Sequence, residues 1–301
     1  LVASERFREV ELTSALREIG PVWHRDIRAA GDRVKALYQP LLAAASHQGV
    51  TVRRDLAYGP DPRQVVDVYR PDGANHAPVV VFVHGGAFVR GDRNISGQMY
   101  ANVLVWFARH GFVGVNVEYR LAPQARYPSG SEDVAAAVAW VHRNIAGFGG
   151  NPRKTLLIGH SAGGTHAAAC LSDPVCAGRE PEVRAAVLIS ARLRADALPA
   201  NPNAAGVQAY YGIDESLYNE RSPVTHASRL SLPVLLVNAE YENPLLDRYG
   251  LEYASQLAQA RNRAPIHLTL MDHNHVSVVA HFNTREEWLG QQIIEFFERS
   301  L

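Results

Sequence analysis

The chain has little cysteine or methionine, two of each in 301 residues, no net formal charge and no apolar run of membrane length. Each shortage excludes something. Cys170 and Cys176 stand in "CLSDPVC", whereas a metal site wants a closer pair with further ligands nearby. They read as buried thiols at a helix end, with a local disulfide left open for an exported protein. Thirty Lys and Arg balance thirty Asp and Glu, which leaves no basic field for a phosphate backbone and no acidic tail. No nucleic-acid partner is expected. The longest apolar runs, "PVVVFV" and "LPVLLV", fall far below the roughly 18 residues that cross a bilayer, so no membrane span is expected. The first residue is Leu1 rather than Met; a trimmed segment can have preceded it, and cytoplasmic is only the default compartment.

What is present suits a large buried core: 47% of residues are hydrophobic and 20% charged, in one elaborated domain or at most two. After about residue 50, short β-branched runs alternate with longer stretches of helical periodicity, the rhythm of a mostly parallel sheet covered on both faces. Strands are predicted over 50–58, 64–70, 78–83, 112–119, 155–159, 183–189, 233–239 and 265–271. The first two alternate polar and apolar residues around "GPDPR" and read as an antiparallel edge hairpin. The later six read as a buried parallel set. Val134, Val138, Val141 and Ile145 repeat at helical spacing, as do Leu289, Ile293, Phe296 and Phe297, each group marking a crossover helix with one stripe on the sheet. Residues 1–49 read as two helices broken at Gly20-Pro21, with Val34, Leu37, Tyr38 and Leu41 on one face of the second. They are expected to form an N-terminal helical cap segment before a domain over 50–301. The stretch 190–232 is longer than a simple connection requires and reads as a lid insertion.

Within "LIGHSAGGTH" (157–166) the pentad Gly159-His160-Ser161-Ala162-Gly163 fits G-x-S-x-G, a weak signal alone. Its context strengthens it: "TLLIG" reads as a strand and "AGGTHAAAC" opens a helix, the strand-turn-helix setting of a nucleophile elbow. Small neighbours tolerate the strained turn that aims a serine hydroxyl outward. The helix N-terminus adds unpaired amides and partial positive charge. Upstream, His84-Gly85-Gly86-Ala87 follows the third strand, and consecutive glycines let backbone donors approach a developing oxyanion. The amides of Gly85, Gly86 and Ala162 are assigned to that hole. Either motif alone would read as a glycine turn; together, at the ends of two parallel strands, they point to acyl transfer.

From about residue 64 to the C-terminus the chain resembles the hormone-sensitive-lipase-like branch of the α/β-hydrolase carboxylesterases. The resemblance rests on the HGG-type loop, the G-x-S-A-G-G elbow, "YRLAP" at 119–123, "YPSGSEDVAAAVAWV" and "GGNP". His160 departs from that branch, which usually has Asp there, and "GHSAG" is also similar to kynurenine formamidase-like relatives. The resemblance implies an α/β-hydrolase fold: an eight-stranded, mostly parallel sheet with helices on both faces and a helical cap. It also implies an acid after the seventh strand and a base after the eighth. "EYENPLLD" offers Glu240, Glu242 and Asp247; aligning "AEYENP" with the family's A-E-(Y/F)-D-P makes Glu242 the acid, with Asn243 inserted before Pro244. Asp247 is the reserve, its bland role being surface charge or a helix N-terminal partner. "MDHNHVSVV" offers His273 and His275, and relatives with H-N-H-x-S imply His275. The H-x-H pair beside Asp272 could also suggest metal, but no third ligand is apparent in the sequence and none is expected. His160, His166 and His226 read as structural or surface residues, with His160 able to modulate the pocket.

The expected activity is a serine hydrolase of carboxylic esters with short to medium acyl chains, acting through an acyl-enzyme on a Ser161–His275–Glu242 triad. No cofactor is called for. Phe88, His160, Tyr38, Leu41, Tyr210 and Tyr211 are expected to bind substrate. The partner is a small-molecule ester, with a homodimer left open. An aryl-formamide hydrolase is the main rival. A non-catalytic binding module on the same scaffold, or an interaction protein using 190–232, is the rival from another class.

Overall fold

The computed structural model describes residues 2–176 and 182–301. Two N-terminal helices, α1 (Val2–Ile19) and α2 (Ile27–Ala44), are separated by a 3-10 turn at Gly20–Arg25. Pro21 suits that break because it has no N–H to continue a ladder. Asp26 then starts α2 by accepting hydrogen bonds from the amides of Arg28 and Ala29, which satisfies donors orphaned at the helix start. The buried stripe of α2 runs Gly31, Val34, Tyr38 and Leu42, while Leu37 and Leu41 are only half-buried.

The remaining elements alternate as the periodicity predicts: β1 (Val50–Ala57), β2 (Val65–Pro71), β3 (Ala77–Val83), α3 (Ala101–Arg109), β4 (Val113–Val117), α4 (Ser129–Asn144), β5 (Gly150–His160), α5 (Ala162–Ser172), β6 (Ala185–Ile189), α6 (Ala204–Tyr211), β7 (Val234–Tyr241), α7 (Leu246–Arg261), β8 (Ile266–Asn274), α8 (Ser277–Ala280) and α9 (Trp288–Glu298). The eight strands form one sheet in the order β1-β2-β4-β3-β5-β6-β7-β8. β1 pairs antiparallel with β2 at one edge, β2 antiparallel with β4, and all later pairings are parallel. The expected edge hairpin is therefore present. The parallel set is not buried throughout, however: β8 is the opposite edge, with Ile266 and Met271 exposed, because only one neighbour strand flanks it.

Side chains of β3 sort by the two-residue period of a strand. Val79, Val81 and Val83 join the core on one face, with Val134, Val138 and Val141 of α4 and Tyr253 and Leu257 of α7. Val80 and Phe82 join the core on the other, with Val103 and Phe107 of α3 and Ile293 and Phe297 of α9. Strand order reverses around β3, which lies between β4 and β5. The carboxyl ends of β3 and β5 thus flank a topological switch point, where open α/β sheets place ligands.

Cys170 and Cys176 are both buried thiols, Cys170 inside α5. Among the described residues no helix is long and apolar enough to cross a membrane.

Candidate active site

Ser161 lies between the end of β5 and the start of α5, with φ 55° and ψ −120°, a backbone region that costs a non-glycine residue about 1–3 kcal/mol. The turn is held by its surroundings. The Ser161 amide donates to the Ile189 carbonyl of β6 at 2.9 Å, and its own carbonyl accepts from Thr165. Gly163 lies so close to β3 that a Cβ there would collide with the carbonyl oxygens of Val83 and His84. The sharp bend brings the serine out to a cavity of about 600 Å³, which it lines together with His275.

His275 Nε2 is 3.0 Å from Ser161 Oγ, and His275 Nδ1 is 2.9 Å from Glu242 Oε2. The imidazole can therefore accept the serine proton at one nitrogen while the carboxylate fixes its tautomer at the other. Burial opposes ionisation of Glu242. The His275 hydrogen bond and charge, the Ser190 hydroxyl and the Ala239 amide outweigh it and hold the carboxyl below its usual value. Glu242 Oε1 accepts from Ser190 Oγ and, at 2.9 Å, from the Ala239 amide. Asp247 is exposed in the first turn of α7, where a carboxylate faces the positive helix end. Glu240 accepts from the Asp272 amide. His273 points elsewhere, to Ser277 Oγ and Glu286.

The loop after β3 faces the serine: Gly85, Gly86 and Ala87 all line the cavity. Gly86 has φ +155°, and a Cβ there would overlap the Arg90 carbonyl. The loop hangs from His84, whose Nδ1 donates to the Gly85 carbonyl at 2.8 Å and whose Nε2 lies 3.2 Å from Glu118 Oε1. The Tyr119 ring stacks on His84 at 4.4 Å, and its hydroxyl donates to the His84 carbonyl.

His160 is in the cavity wall. Burial, with the nearby His275, holds its pKa well below the ordinary value, so the ring is neutral. His166 is buried against Phe88, Tyr119 and Tyr210, and His226 bonds the Glu220 carbonyl at the surface.

Five of the six predicted substrate contacts lie elsewhere. Phe88, Tyr210 and Tyr211 are almost wholly buried and pack on one another, Phe88 stacked on Tyr210 at 4.9 Å. They are a secondary core beside α5 because each ring finds an aromatic partner rather than open space. Tyr38 and Leu41 line a different cavity between the N-terminal helices and the 271–286 segment. Tyr38 is buried against Leu16 and Ile19, while the first turns of α2, with Ile27, Arg28, Gly31, Asp32 and Lys35, line the cavity that holds Ser161. Of residues 190–232, Pro202 and Asn203 reach the cavity, whereas Val224, Ala227 and Leu230 belong to the main core.

Several neighbours of the site were not singled out from the sequence. Trp23 lines the cavity and donates through Nε1 to Asn243 Oδ1 at 2.9 Å, joining the N-terminal segment to the loop that carries Glu242. Tyr100 bonds His160 Nδ1 at 3.2 Å. A polar residue directly after a parallel strand was the available signal for Ser190, and a charge at the end of an apolar strand the signal for Glu118. Trp23 and Tyr100 carry no such signal.

With this geometry in place, the comparisons agree on the architecture: the fold is that of the α/β-hydrolases. The BD-FAE family model matches residues 66–172, from β2 to the end of α5. Esterase LipC of Mycobacterium tuberculosis is 42% identical over 127 residues, 42% of this chain and 31% of LipC. The isoprenylcysteine alpha-carbonyl methylesterase of Arabidopsis thaliana is 37% identical over 123 residues, 40% of this chain and 27% of that protein. The chain thus spans about a third or less of the length of these relatives. Among solved structures, Esterase B from Lactobacillus rhamnosis superposes with a TM-score of 0.74 at 19% identity, covering 95% of this chain and 96% of that one. A bacterial heroin esterase gives 0.69 at 26% identity, covering 92% and 93%.

Proposed function

We propose that the protein hydrolyses carboxylic esters, with Ser161 as nucleophile, His275 as general base and then acid, and Glu242 as the group that orients and steadies the imidazolium. The observation that carries this reading is the unbroken chain Ser161 Oγ–His275 Nε2 at 3.0 Å and His275 Nδ1–Glu242 Oε2 at 2.9 Å, at a strained elbow opening on a cavity. A serine hydroxyl is a poor nucleophile at neutral pH and needs such a base within hydrogen-bond reach. Ser161 attacks the ester carbonyl as His275 takes its proton. The tetrahedral oxyanion turns toward the amides of Gly85, Gly86 and Ala162, and collapse expels the alcohol, protonated by His275. Water then repeats the sequence on the acyl-enzyme and releases the acid.

The relatives' names, esterases in both bacterial and plant proteins, support the reaction class. A cavity of about 600 Å³ falls within the usual range for small-molecule sites and supports short to medium acyl chains. Residues 1–49 serve as the cap over it, with Trp23 and Ile27 as walls, and Pro202 and Asn203 are the part of 190–232 that closes it from the other side.

The test is a p-nitrophenyl ester series of increasing acyl length, alongside an aryl formamide, on the native chain and Ser161→Ala. Ester turnover that peaks at short to medium chains and falls by about ten-thousand-fold or more in the variant is expected. Equal turnover by both proteins would remove the nucleophile assignment, and turnover of the formamide alone would replace the ester reading.

A further inference from the structure

We propose a second site, a divalent transition-metal site of the zinc type formed by His273, His281 and Glu286 beside the second cavity. The sequence shows only the H-x-H pair; the fold supplies the third ligand from further along the chain. One ligand atom from each of the three residues lies within 4.8 Å of the others. Tetrahedral ligands about 2.0–2.1 Å from zinc stand about 3.3 Å apart, so small side-chain shifts close the set.

Three observations beyond proximity point to a ligand. His281 is fully buried, and its Nδ1 lies 3.0 Å from the Ser277 carbonyl. A carbonyl only accepts, so Nδ1 carries the hydrogen and the lone pair is on Nε2. That Nε2 has no hydrogen-bond partner among the described residues. Second, the ligands already have the outer partners that fix metal-binding rings: Ser277 through its carbonyl for His281, and through Oγ at 3.0 Å for His273 Nδ1. Third, the Tyr38 hydroxyl is also buried without a partner among the described residues, and Tyr38 lines the same cavity as Glu286.

An ordinary ion pair accounts for His273 and Glu286, which are 2.7 Å apart. It leaves His281 Nε2 and Tyr38 unexplained. On binding, the metal takes the place of the proton shared by His273 Nε2 and Glu286, and the imidazoles bind neutral. Entry is from the cavity of about 690 Å³, lined by Tyr38, His273 and Glu286 but not by Ser161. The site therefore belongs to the loop that carries His275, not to the reacting atoms.

The experiment titrates the chelator-treated full chain with Zn²⁺ by calorimetry and with Co²⁺ by visible absorption, reading stoichiometry, affinity and the ligand-field bands of a four-coordinate cobalt. One ion per chain is expected, with a rise in melting temperature. Ser161→Ala should bind equally well. Glu286→Gln, at a half-exposed position, and His281→Ala should each lower the affinity at least tenfold, with circular dichroism confirming that Glu286→Gln is folded. Absence of one-to-one uptake below about 100 μM, weak for a built zinc site, overturns the proposal. So does uptake of undiminished affinity in Glu286→Gln.

Discussion

His160 Nε2 lies 3.0 Å from the backbone carbonyl of His275, so the residue beside the nucleophile holds the main chain of the residue that hydrogen-bonds to it. The carbonyl can only accept, which assigns the His160 hydrogen to Nε2 and makes Nδ1 the acceptor for Tyr100 at 3.2 Å. The Tyr100 ring is itself buried beneath the loop of Gly85. Elbow, oxyanion loop and base loop thus meet through one neutral imidazole.

Replacing His160 by Asn should therefore act on positioning. We expect kcat on a p-nitrophenyl ester to fall about 10–100-fold, the scale of a misplacement near 1 Å, with KM within about twofold. A rise in KM at unchanged kcat would mean that His160 contacts substrate and does not position His275.

The acid can be assigned by comparing two carboxylates only five positions apart. Glu242→Gln should lower kcat by about 10³–10⁴-fold, as loss of the orienting carboxylate does elsewhere. Asp247→Asn, exposed at the start of α7, should stay within about twofold. The reverse order in steady-state kinetics would transfer the role to Asp247.

Gly163→Ala tests the packing that holds the elbow. Its Cβ would meet two backbone carbonyls of β3, atoms that cannot swing away, so a loss of about 2 kcal/mol or more is expected, with a lowered melting temperature or insoluble protein. Gly147→Ala, where a Cβ meets nothing within 4 Å, is the control and should melt like the native chain. Matching melting curves for all three proteins would refute the collision.

Acid should destabilise the fold early. Burial keeps His160 neutral well below its ordinary value, and pushes His166 down to about 3 and His281 down to about 4. In the unfolded chain these rings titrate near 6.5. Their folded values are depressed, so the stability they contribute is fully present above that pH and drains away below it, as the unfolded chain takes up protons the folded one refuses. The slope is about 1.4 kcal/mol per pH unit for each ring, about 4 for the three together. Urea midpoints measured in metal-free buffer from pH 7.5 to 4.5 should fall steeply below 6.5, and less steeply in His166→Gln. Flat midpoints over that interval would exclude this account.

Local chemistry determined much of this protein in advance. The period-two alternation of β1 and β2, the apolar runs of β3 and β7 and the glycine-rich turn around Ser161 act within a few residues, so they are readable in one dimension. The co-occurrence of "YRLAP" and "SEDV" has a tertiary cause that sequence alone did not reveal: Arg120 pairs with buried Asp133 at 2.7 Å. The aromatic contacts failed for the complementary reason. Whether Phe88 or Tyr210 faces a cavity depends on packing between segments far apart in sequence, and both rings were taken by an aromatic cluster; Tyr38 is buried between the N-terminal helices, beside a cavity other than the one that holds Ser161. Ser161, the candidate bases and the candidate acids were visible as residue types. That His275 and not His273 reaches the serine was decided by the sheet, which brings chain segments 114 residues apart to within a hydrogen bond; that Glu242 and not Asp247 reaches His275, and that His273 instead meets His281 and Glu286, were decided by the course of the chain beyond β7 and β8.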